Sequence, residues 1–298
     1  MSGKNKLISV IFVVLALLIG FAISLFRQNS PSTPPAPINP IVGHVKDELS
    51  VHFVDVGQAD CQIVLLPTGQ TMVIDAGNND DGDLICDYLK ALGITNIDYL
   101  IGTHPHEDHI GSMDTVINNF TVKQVYMPDA EADSVTYRDV ITAIDDAGLE
   151  VTYTKSNMLI YSDDTLTIQT VAPVYDYDDD LNNQSIVLRV TYKEASFLFT
   201  GDAEEESEND ITLEIGADVL SVGHHGSSTS TSDSFLKRVD PMFAVISCGK
   251  NNEYGHPHTE TLEKLTNDDV TVYRTDTMGT IICRTKGAKG DYKWETVK

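Results

Sequence analysis

Cysteine is scarce in this chain of 298 residues, and its placement excludes one kind of metal site. The cysteines are Cys61, Cys86, Cys248 and Cys283. None belongs to a C-x-x-C pair or stands beside a histidine cluster, so zinc ligation by sulfur is not expected. Buried free thiols are the favoured interpretation. A disulfide between Cys248 and Cys283 is the alternative if the domain lies outside the cytoplasm.

Basic residues are also few, with 20 lysines and arginines against 45 acidic residues and a formal net charge of −25. Nonspecific nucleic-acid binding depends on basic patches that displace counterions. The sequence has no Lys/Arg cluster interleaved with aromatic residues. The acidic runs at 176–180 and 202–210 favour solvated loops and a helix start over calcium sites. The composition therefore predicts no basic nucleic-acid-binding patch.

Only one long apolar run is present, at residues 7–26. As a helix it is long enough to cross a hydrocarbon core of about 30 Å. Lys4 and Lys6 precede the run and Arg27 follows it, which predicts that the amino terminus stays inside. We therefore predict a single-pass transmembrane anchor at residues 1–27, with the remaining chain outside the cytoplasm. A cleaved signal peptide, which gives a secreted protein, is the alternative.

Residues 28–48 hold five prolines among serine and asparagine, which predicts an extended linker. From residue 49 to 298 the chain has the short apolar runs and turn signals of one α/β domain. The predicted strands include 50–56, 62–66, 71–74, 122–126, 186–192, 196–200 and 242–247. The predicted helices are 83–92, a helix from 110, 135–147, one after Asp202, 232–239 and 259–266.

The densest group of metal-ligating side chains is the HPHEDH stretch at residues 104–109, directly after an apolar run. It contains His104, His106, Asp108 and His109. Imidazole nitrogen and carboxylate oxygen are ligands that suit zinc and its first-row neighbours. A polar surface loop is the plain alternative, but three histidines and an aspartate at this spacing favour a metal site.

Further candidates follow other strand-like runs. They are Asp202, the pair His224 and His225, and the pair His256 and His258. In layered α/β folds, sites gather at the ends of strands. Together these side chains exceed what one tetrahedral ion needs, and a carboxylate can bridge two ions about 3.5–4 Å apart. Two divalent ions are therefore expected.

The motifs form an ordered series that resembles the metallo-β-lactamase fold. The general motifs are HPHEDH followed by Ile-Gly, TGD at 200–202 and HHGS at 224–227. A closer resemblance, to the ComEC/Rec2-like branch, comes from HFVDVGQ at 52–58, NNQSIV at 182–187 and YGHPH at 254–258. The resemblance covers roughly residues 49–285. It implies an αββα sandwich with the metals at one edge.

The resemblance also implies a role for each ligand around two ions, zinc or manganese. His104 and His106 would hold the first ion, Asp108, His109 and His225 the second, and Asp202 would bridge them. His256 is the alternative to His225. Many family members supply a third histidine to the first ion from the segment before the bridging aspartate, where this chain has Asn182 and Asn183. That departure implies a weaker first site or one completed by water.

The remaining roles concern proton transfer and positioning. Asp108, or a group behind the ligands, would receive a proton, and His224 or His256 would protonate the leaving oxygen or hold an oxyanion. Asp55 is expected to orient a histidine ligand through its second nitrogen.

The combined expectation is a membrane-anchored, extracytoplasmic, dinuclear metallohydrolase that cleaves a phosphodiester. Nucleic acid in competence-related DNA processing and a cell-wall phosphodiester, such as phosphorylcholine on teichoic acid, are the two substrate interpretations. A lactone or thioester hydrolase and a surface binding module that has lost catalysis are the alternatives.

Overall fold

The computed structural model describes residues 42–298. The predicted anchor at 1–27 and most of the predicted linker lie outside the described residues. Within them, no helix has the length and apolar character needed to cross a membrane. Residues 42–48 pack on the domain, where the Arg284 guanidinium donates to the Val42 carbonyl and pairs with Glu48.

Two large β-sheets form the centre of the described chain. With strands numbered along the chain, the first sheet has the spatial order β17 (Lys293–Val297), β16 (Thr280–Thr285), β1 (Leu49–Phe53), β2 (Gln62–Leu65), β3 (Thr71–Ile74), β5 (Tyr99–Ile101), β7 (Val125–Pro128) and β8 (Val151–Thr154). The second has the order β15 (Thr271–Arg274), β14 (Phe243–Ile246), β13 (Val219–Ser221), β12 (Ala195–Phe199), β11 (Val187–Tyr192), β10 (Leu166–Ala172) and β9 (Leu159–Ser162). A short pair joins β4 (Asn96–Ile97) to β6 (Thr121–Val122).

The described residues contain eight helices, most of which pack on the outer faces of the sheets. They are α1 (Gly82–Ala91), α2 (Glu107–Ile110), α3 (Met113–Asn119), α4 (Val135–Asp146), α5 (Glu205–Asp210), α6 (Asp233–Val239), α7 (Thr259–Asn267) and α8 (Thr275–Met278). A 3-10 turn spans Gly223–Gly226.

Alternate residues of one strand face different cores, which explains the continuous apolar runs of the sequence. Met72 of β3 belongs to the core between the two sheets, together with Phe197 of β12. Its neighbour Val73 faces the helix side and packs with Leu89 of α1. A third core joins the second sheet to helices such as α6 through Phe235. The order helix, sheet, sheet, helix confirms the predicted αββα sandwich.

Parallel strands bring the polar motifs to one edge. In the first sheet β3, β5, β7 and β8 are parallel, and in the second β12, β13, β14 and β15 are parallel. The HPHEDH stretch follows β5, Asp202 follows β12, and the HHGS motif follows β13. The carboxyl ends of parallel strands lie at the same edge of each sheet. The two sheets are packed with these edges side by side, so the three segments meet there.

Two sequence expectations need correction. The helix expected from residue 110 is instead α2, which begins inside the motif at Glu107, followed by the separate helix α3. The disulfide alternative is wrong, because Cys248 and Cys283 are both buried free thiols. Cys248 follows β14 of the second sheet and Cys283 lies in β16 of the first.

The buried His52 gives this domain a pH-dependent stability. Its ring nitrogens contact the Tyr88 hydroxyl at 2.8 Å and the Ser50 hydroxyl at 2.9 Å. Burial, and then the charge of Arg284, lowers the pKa of His52 to about 3 from 6.5. A depressed histidine pKa means that stability is complete above pH 6.5 and is lost as the pH falls toward 3, because the unfolded chain takes up the proton first.

We expect the difference in the free energy of unfolding between the wild type and His52→Asn to be about 2 kcal/mol smaller at pH 5 than at pH 7. The Asn variant keeps a hydrogen-bonding group but has nothing to titrate in this range. Urea unfolding of both proteins at several pH values measures the difference. A gap that is constant with pH would show that His52 is protonated equally in both states.

Candidate metal centre

The centre is organised by the buried carboxylate of Asp202, which follows β12. Its Oδ1 lies 3.2 Å from Nε2 of His109 and 3.9 Å from Nε2 of His225. Its Oδ2 lies 3.9 Å from Nε2 of His104 and 3.6 Å from Nε2 of His224. The two oxygens therefore face two different sets of histidines, which is the geometry of a bridging ligand.

The side chains around Oδ1 lie close together, and they include the carboxylate and imidazole ligands expected for the second ion. Ligand atoms of Asp108, His109, Asp202 and His225 all lie within 4.8 Å of one another. Nε2 of His225 lies 3.1 Å from Oδ2 of Asp108. The structure thus brings together the four side chains that the motifs assigned to one ion.

The set around Oδ2 contains the first two histidines of the motif. Nε2 of His104 lies 2.9 Å from Nδ1 of His106, so both nitrogens point to the same place. Nδ1 of His104 faces the hydroxyls of Thr103 and Ser185 at 3.3 Å. His104 is fully buried, whereas His106 lines an open cavity of 310 Å³.

Two buried atoms at the centre lack a hydrogen-bond partner in the described chain: Nε2 of His109 and Oδ1 of Asp202. Nδ1 of His109 donates a hydrogen bond to Oδ2 of Asp75, at a distance of 2.8 Å. Nε2 then faces a carboxylate oxygen, so the position between them must hold either a proton on the ring or a metal ion. The donor set therefore fits a metal ion.

The electrostatics of these groups reflect the crowding of acids around imidazoles. Burial lowers the pKa of His109, but the Asp202 and Asp75 carboxylates outweigh it and raise that pKa well above its ordinary value. Burial is likewise outweighed at His225, where Asp202 and the hydrogen bond with Asp108 raise the pKa to about 9. Without metal these rings hold protons, which an ion displaces on binding.

The carboxylate that orients a ligand is Asp75, and the expectation for Asp55 needs correction. The Asp55 carboxylate accepts a hydrogen bond from the Gly57 backbone and makes none with a histidine in the described chain. Asp75 follows β3 and accepts from His109. Its other oxygen accepts from the Thr103 backbone. An acid close to the end of a buried strand, the pattern that singled out Asp202, was the available signal for Asp75.

The two asparagines divide between structure and site. The Asn183 side chain contacts Asp180 and accepts hydrogen bonds from the Glu204 and Ser207 backbones, so it anchors the start of α5. It does not face the centre, which corrects its assignment as a substituted ligand. Asn182 lines the cavity and donates to Oε1 of Glu204 at 3.2 Å.

The rings of His224 and His225 reach the same cavity because of an uncommon backbone. The two residues have φ of 50° and 53°, in the left-handed region that non-glycine residues avoid. Such strain persists at functional sites where the surroundings enforce it. Nδ1 of His225 donates to the Ser247 carbonyl at 3.1 Å, which leaves Nε2 directed at Asp108.

His256 lies at the cavity wall and its ring is oriented by Gln58. Oε1 of Gln58 accepts a hydrogen bond from the Gly249 backbone at 2.9 Å, so its Nε2 is the donor to Nδ1 of His256 at 3.4 Å. Burial, then His224 and His225, lowers the pKa of His256 to about 4, so the ring is neutral at pH 7. An accepting Nδ1 leaves the proton on Nε2. Sequence reasoning missed Gln58, which stands 198 positions from His256.

The sandwich fold and a histidine–aspartate centre divided by one carboxylate define a class of protein, the metal-binding αββα sandwiches with a site at the edge of two packed sheets. The family model "Metallo-beta-lactamase superfamily" matches residues 54–250. The chain belongs to this superfamily.

Relatives support assignment to the ComEC/Rec2-like branch. ComE operon protein 3 of Bacillus subtilis is 32% identical over 83% of this chain and 34% of its own length. Recombination protein 2 of Haemophilus influenzae is 29% identical over 88% of this chain and 30% of its own length. The chain thus spans about one third of the length of these two relatives. Among solved structures, CmlA, a diiron beta-hydroxylase from Streptomyces venezuelae, has a TM-score of 0.50 and 13% identity, covering 85% of this chain and 55% of that one. That likeness concerns the fold alone.

Proposed function

We propose that this chain is a dinuclear metal-dependent phosphodiesterase. The observation that carries the proposal is the position of Asp202, whose two oxygens face separate groups of histidines. His104 and His106 would hold the first ion, and Asp108, His109 and His225 the second. When bound, two divalent ions lower the pKa of a water and neutralise charge on the reacting oxygens of a diester.

The chain's own residues supply orientation and a hydrogen-bond donor. Asp75 and the Ser247 carbonyl fix the rings of His109 and His225. Their Nε2 atoms are therefore already oriented toward the position of the second ion. The Nε2 proton of His256 is available to an oxygen of the substrate in the cavity. Because His256 is neutral at pH 7, we favour the oxyanion-holding role over proton donation for this ring.

The cavity's charge limits how an anionic substrate binds. Its lining includes the carboxylates of Glu107, Asp108 and Asp202, and no lysine or arginine lines it among the described residues. Among charged groups, only bound metal ions would then attract a phosphodiester, so binding should depend on the metal much more than on salt. This favours recognition of one phosphate with its flanking groups over a long tract of backbone.

Nucleic acid is the preferred substrate in this proposal, because the relatives bear the names Recombination protein 2 and ComE operon protein 3. Tyr254 supports it: the residue is 62% exposed and lines the cavity, where a base could stack on its ring. A cell-wall phosphodiester such as phosphorylcholine on teichoic acid is the second candidate, favoured because no lysine or arginine of residues 42–298 lines the cavity. We further propose that residues 1–27 anchor the enzyme with its site outside the cytoplasm. Protease treatment of intact cells, which would then remove the domain, tests the orientation.

The test of function is hydrolysis by the full chain loaded with Zn²⁺ or Mn²⁺. Bis(p-nitrophenyl) phosphate should be cleaved, and EDTA should stop the reaction. Single-stranded DNA and p-nitrophenylphosphorylcholine then separate the two substrate candidates. Turnover confined to lactones or thioesters would replace the proposal by another hydrolase activity. Metal binding without turnover of any ester would favour a binding module.

Gln58→Glu is expected to change the pH profile of the reaction. The glutamate would raise the pKa of His256 and, above that pKa, hold the remaining proton on Nδ1, which removes the Nε2 donor. Turnover should then fall about 10–100-fold on the alkaline side relative to the wild type. Gln58→Met, which accepts no proton from the ring, is the control and should lose activity without the new pH dependence. A Gln58→Glu profile parallel to that of the wild type would refute the assigned tautomer.

A further inference from the structure

The first ion of the proposed centre is one nitrogen ligand short. His104, His106 and Oδ2 of Asp202 supply three positions, and the segment that provides a third histidine in many family members holds Asn182 here. A tetrahedral site needs a fourth ligand from the protein or from water. The source of that fourth ligand can be assigned from the structure, on the basis of the proposed dinuclear centre.

His224 presents a nitrogen lone pair at this place. Its Nδ1 lies 3.1 Å from Oε1 of Glu204, a carboxylate oxygen that can only accept, so Nδ1 carries the proton. Nε2 is then an acceptor, and it faces Oδ2 of Asp202 at 3.6 Å. With one proton on the ring, Nε2 and Oδ2 are both acceptors, so a metal ion placed between them would satisfy both, and Oδ2 is the oxygen that also faces His104.

Glu204 is held in place as an acceptor by several donors. Its Oε1 also accepts hydrogen bonds from the Asn182 amide at 3.2 Å and from the Thr229 hydroxyl at 2.9 Å. Its backbone nitrogen donates to Asn183, which fixes the start of α5. The pair of Glu204 and His224 repeats the relation of Asp75 and His109, a carboxylate behind an imidazole.

The backbone gives a second, independent observation. His224 adopts φ 50° and ψ 47°, an unfavourable conformation for a residue with a Cβ. A histidine that only lined a surface could be placed by an ordinary turn. The neighbouring His225 has the same left-handed conformation and faces the other oxygen of Asp202, so the strained turn delivers one ring to each side of the bridge.

We propose that His224 is the third histidine ligand of the first ion, through Nε2, and that Glu204 is the positioning residue that fixes its tautomer. This replaces the expectation that His224 donates a proton to the substrate. Both residues of the pair His224-His225 would then be metal ligands, one for each ion.

Zn²⁺ titration of the chelator-treated full chain by calorimetry tests the proposal. His224→Gly suits the left-handed backbone and removes only the ring. It should keep one tightly bound ion and weaken the other by at least about tenfold, since even loss of an orienting partner costs 10–100-fold. Millimolar imidazole should restore the second ion. His256→Ala, a histidine of the same cavity, is the matched control and should retain two.

Each outcome has a distinct meaning. If His224→Gly binds two ions with wild-type affinity, the ligand assignment is overturned. If the wild type itself fails to bind two ions, the proposed dinuclear function fails instead. Glu204→Ala provides a second variant that leaves the turn unchanged, and it should weaken one ion only. Co²⁺ absorption spectra of the loaded proteins report the loss of a nitrogen ligand without reference to activity.

Discussion

Asp202→Ala is expected to remove both ions and to lower phosphodiester turnover by at least about 10³-fold, because a bridging ligand serves both sites while loss of one orienting partner already costs 10–100-fold. The side chain is buried, and each of its oxygens faces a different pair of histidines. Alanine leaves those imidazoles without the anion that holds two cations close together. Metal content and turnover, measured on the same preparation, check the result.

Two further variants calibrate this loss. Asp75→Asn should have an intermediate effect of about 10–100-fold, since it disturbs only the orientation of His109. Asp87→Asn changes an exposed acid on α1 and should match the wild type. If Asp202→Ala retained two ions per chain, the bridging role would be wrong.

Removal of the ions by EDTA should lower the melting temperature of the chain by at least about 10 °C, the shift expected from the loss of one ion. An ion present at 1,000 times its dissociation constant stabilises the folded state by about 4 kcal/mol, and for a domain of this size each kcal/mol shifts the midpoint by about 2–4 °C. The physical cause is the buried cluster of Asp60, Asp75 and Asp202. Burial raises the pKa of Asp60 and Asp75, which shows that their charges are costly without a cation.

Scanning calorimetry with and without EDTA measures this shift. Asp202→Ala is the control, because a protein that binds no ions should melt at the same temperature in both buffers. A wild-type midpoint that EDTA leaves unchanged would mean that the cluster is stable without metal.

The sequence predicted much of the fold because the strands are short apolar runs bounded by glycine and polar turns. It also singled out the ligands that belong to local motifs, such as His104, Asp108 and His109, since three imidazoles and a carboxylate within six residues are typical of a metal site. Asp202 was found because it closes the Thr-Gly-Asp motif just after a buried strand. Strands such as β3 are buried on both faces and therefore show no alternation of polar and apolar residues. The sequence could not predict which of the two cores each of their residues joins.

The supporting residues depend on contacts between distant segments and could not be found in this way. Gln58 meets His256 across 198 positions, and Asp75 meets His109 across 34. In the sequence, Glu204 resembles any other acid in its run, yet its carboxylate accepts a hydrogen bond from His224. The left-handed turn at His224 has no propensity signal, because it is imposed by the packing around it.

The central claim is that two metal ions at the Asp202 centre carry the hydrolysis. The most direct measurement titrates the chelator-treated full chain with Zn²⁺ or Mn²⁺ and follows hydrolysis of bis(p-nitrophenyl) phosphate at each addition. A dinuclear mechanism predicts turnover that rises with bound metal and reaches a plateau at two ions per chain. Turnover that persists in the metal-free protein, or a plateau at a single ion, would contradict it.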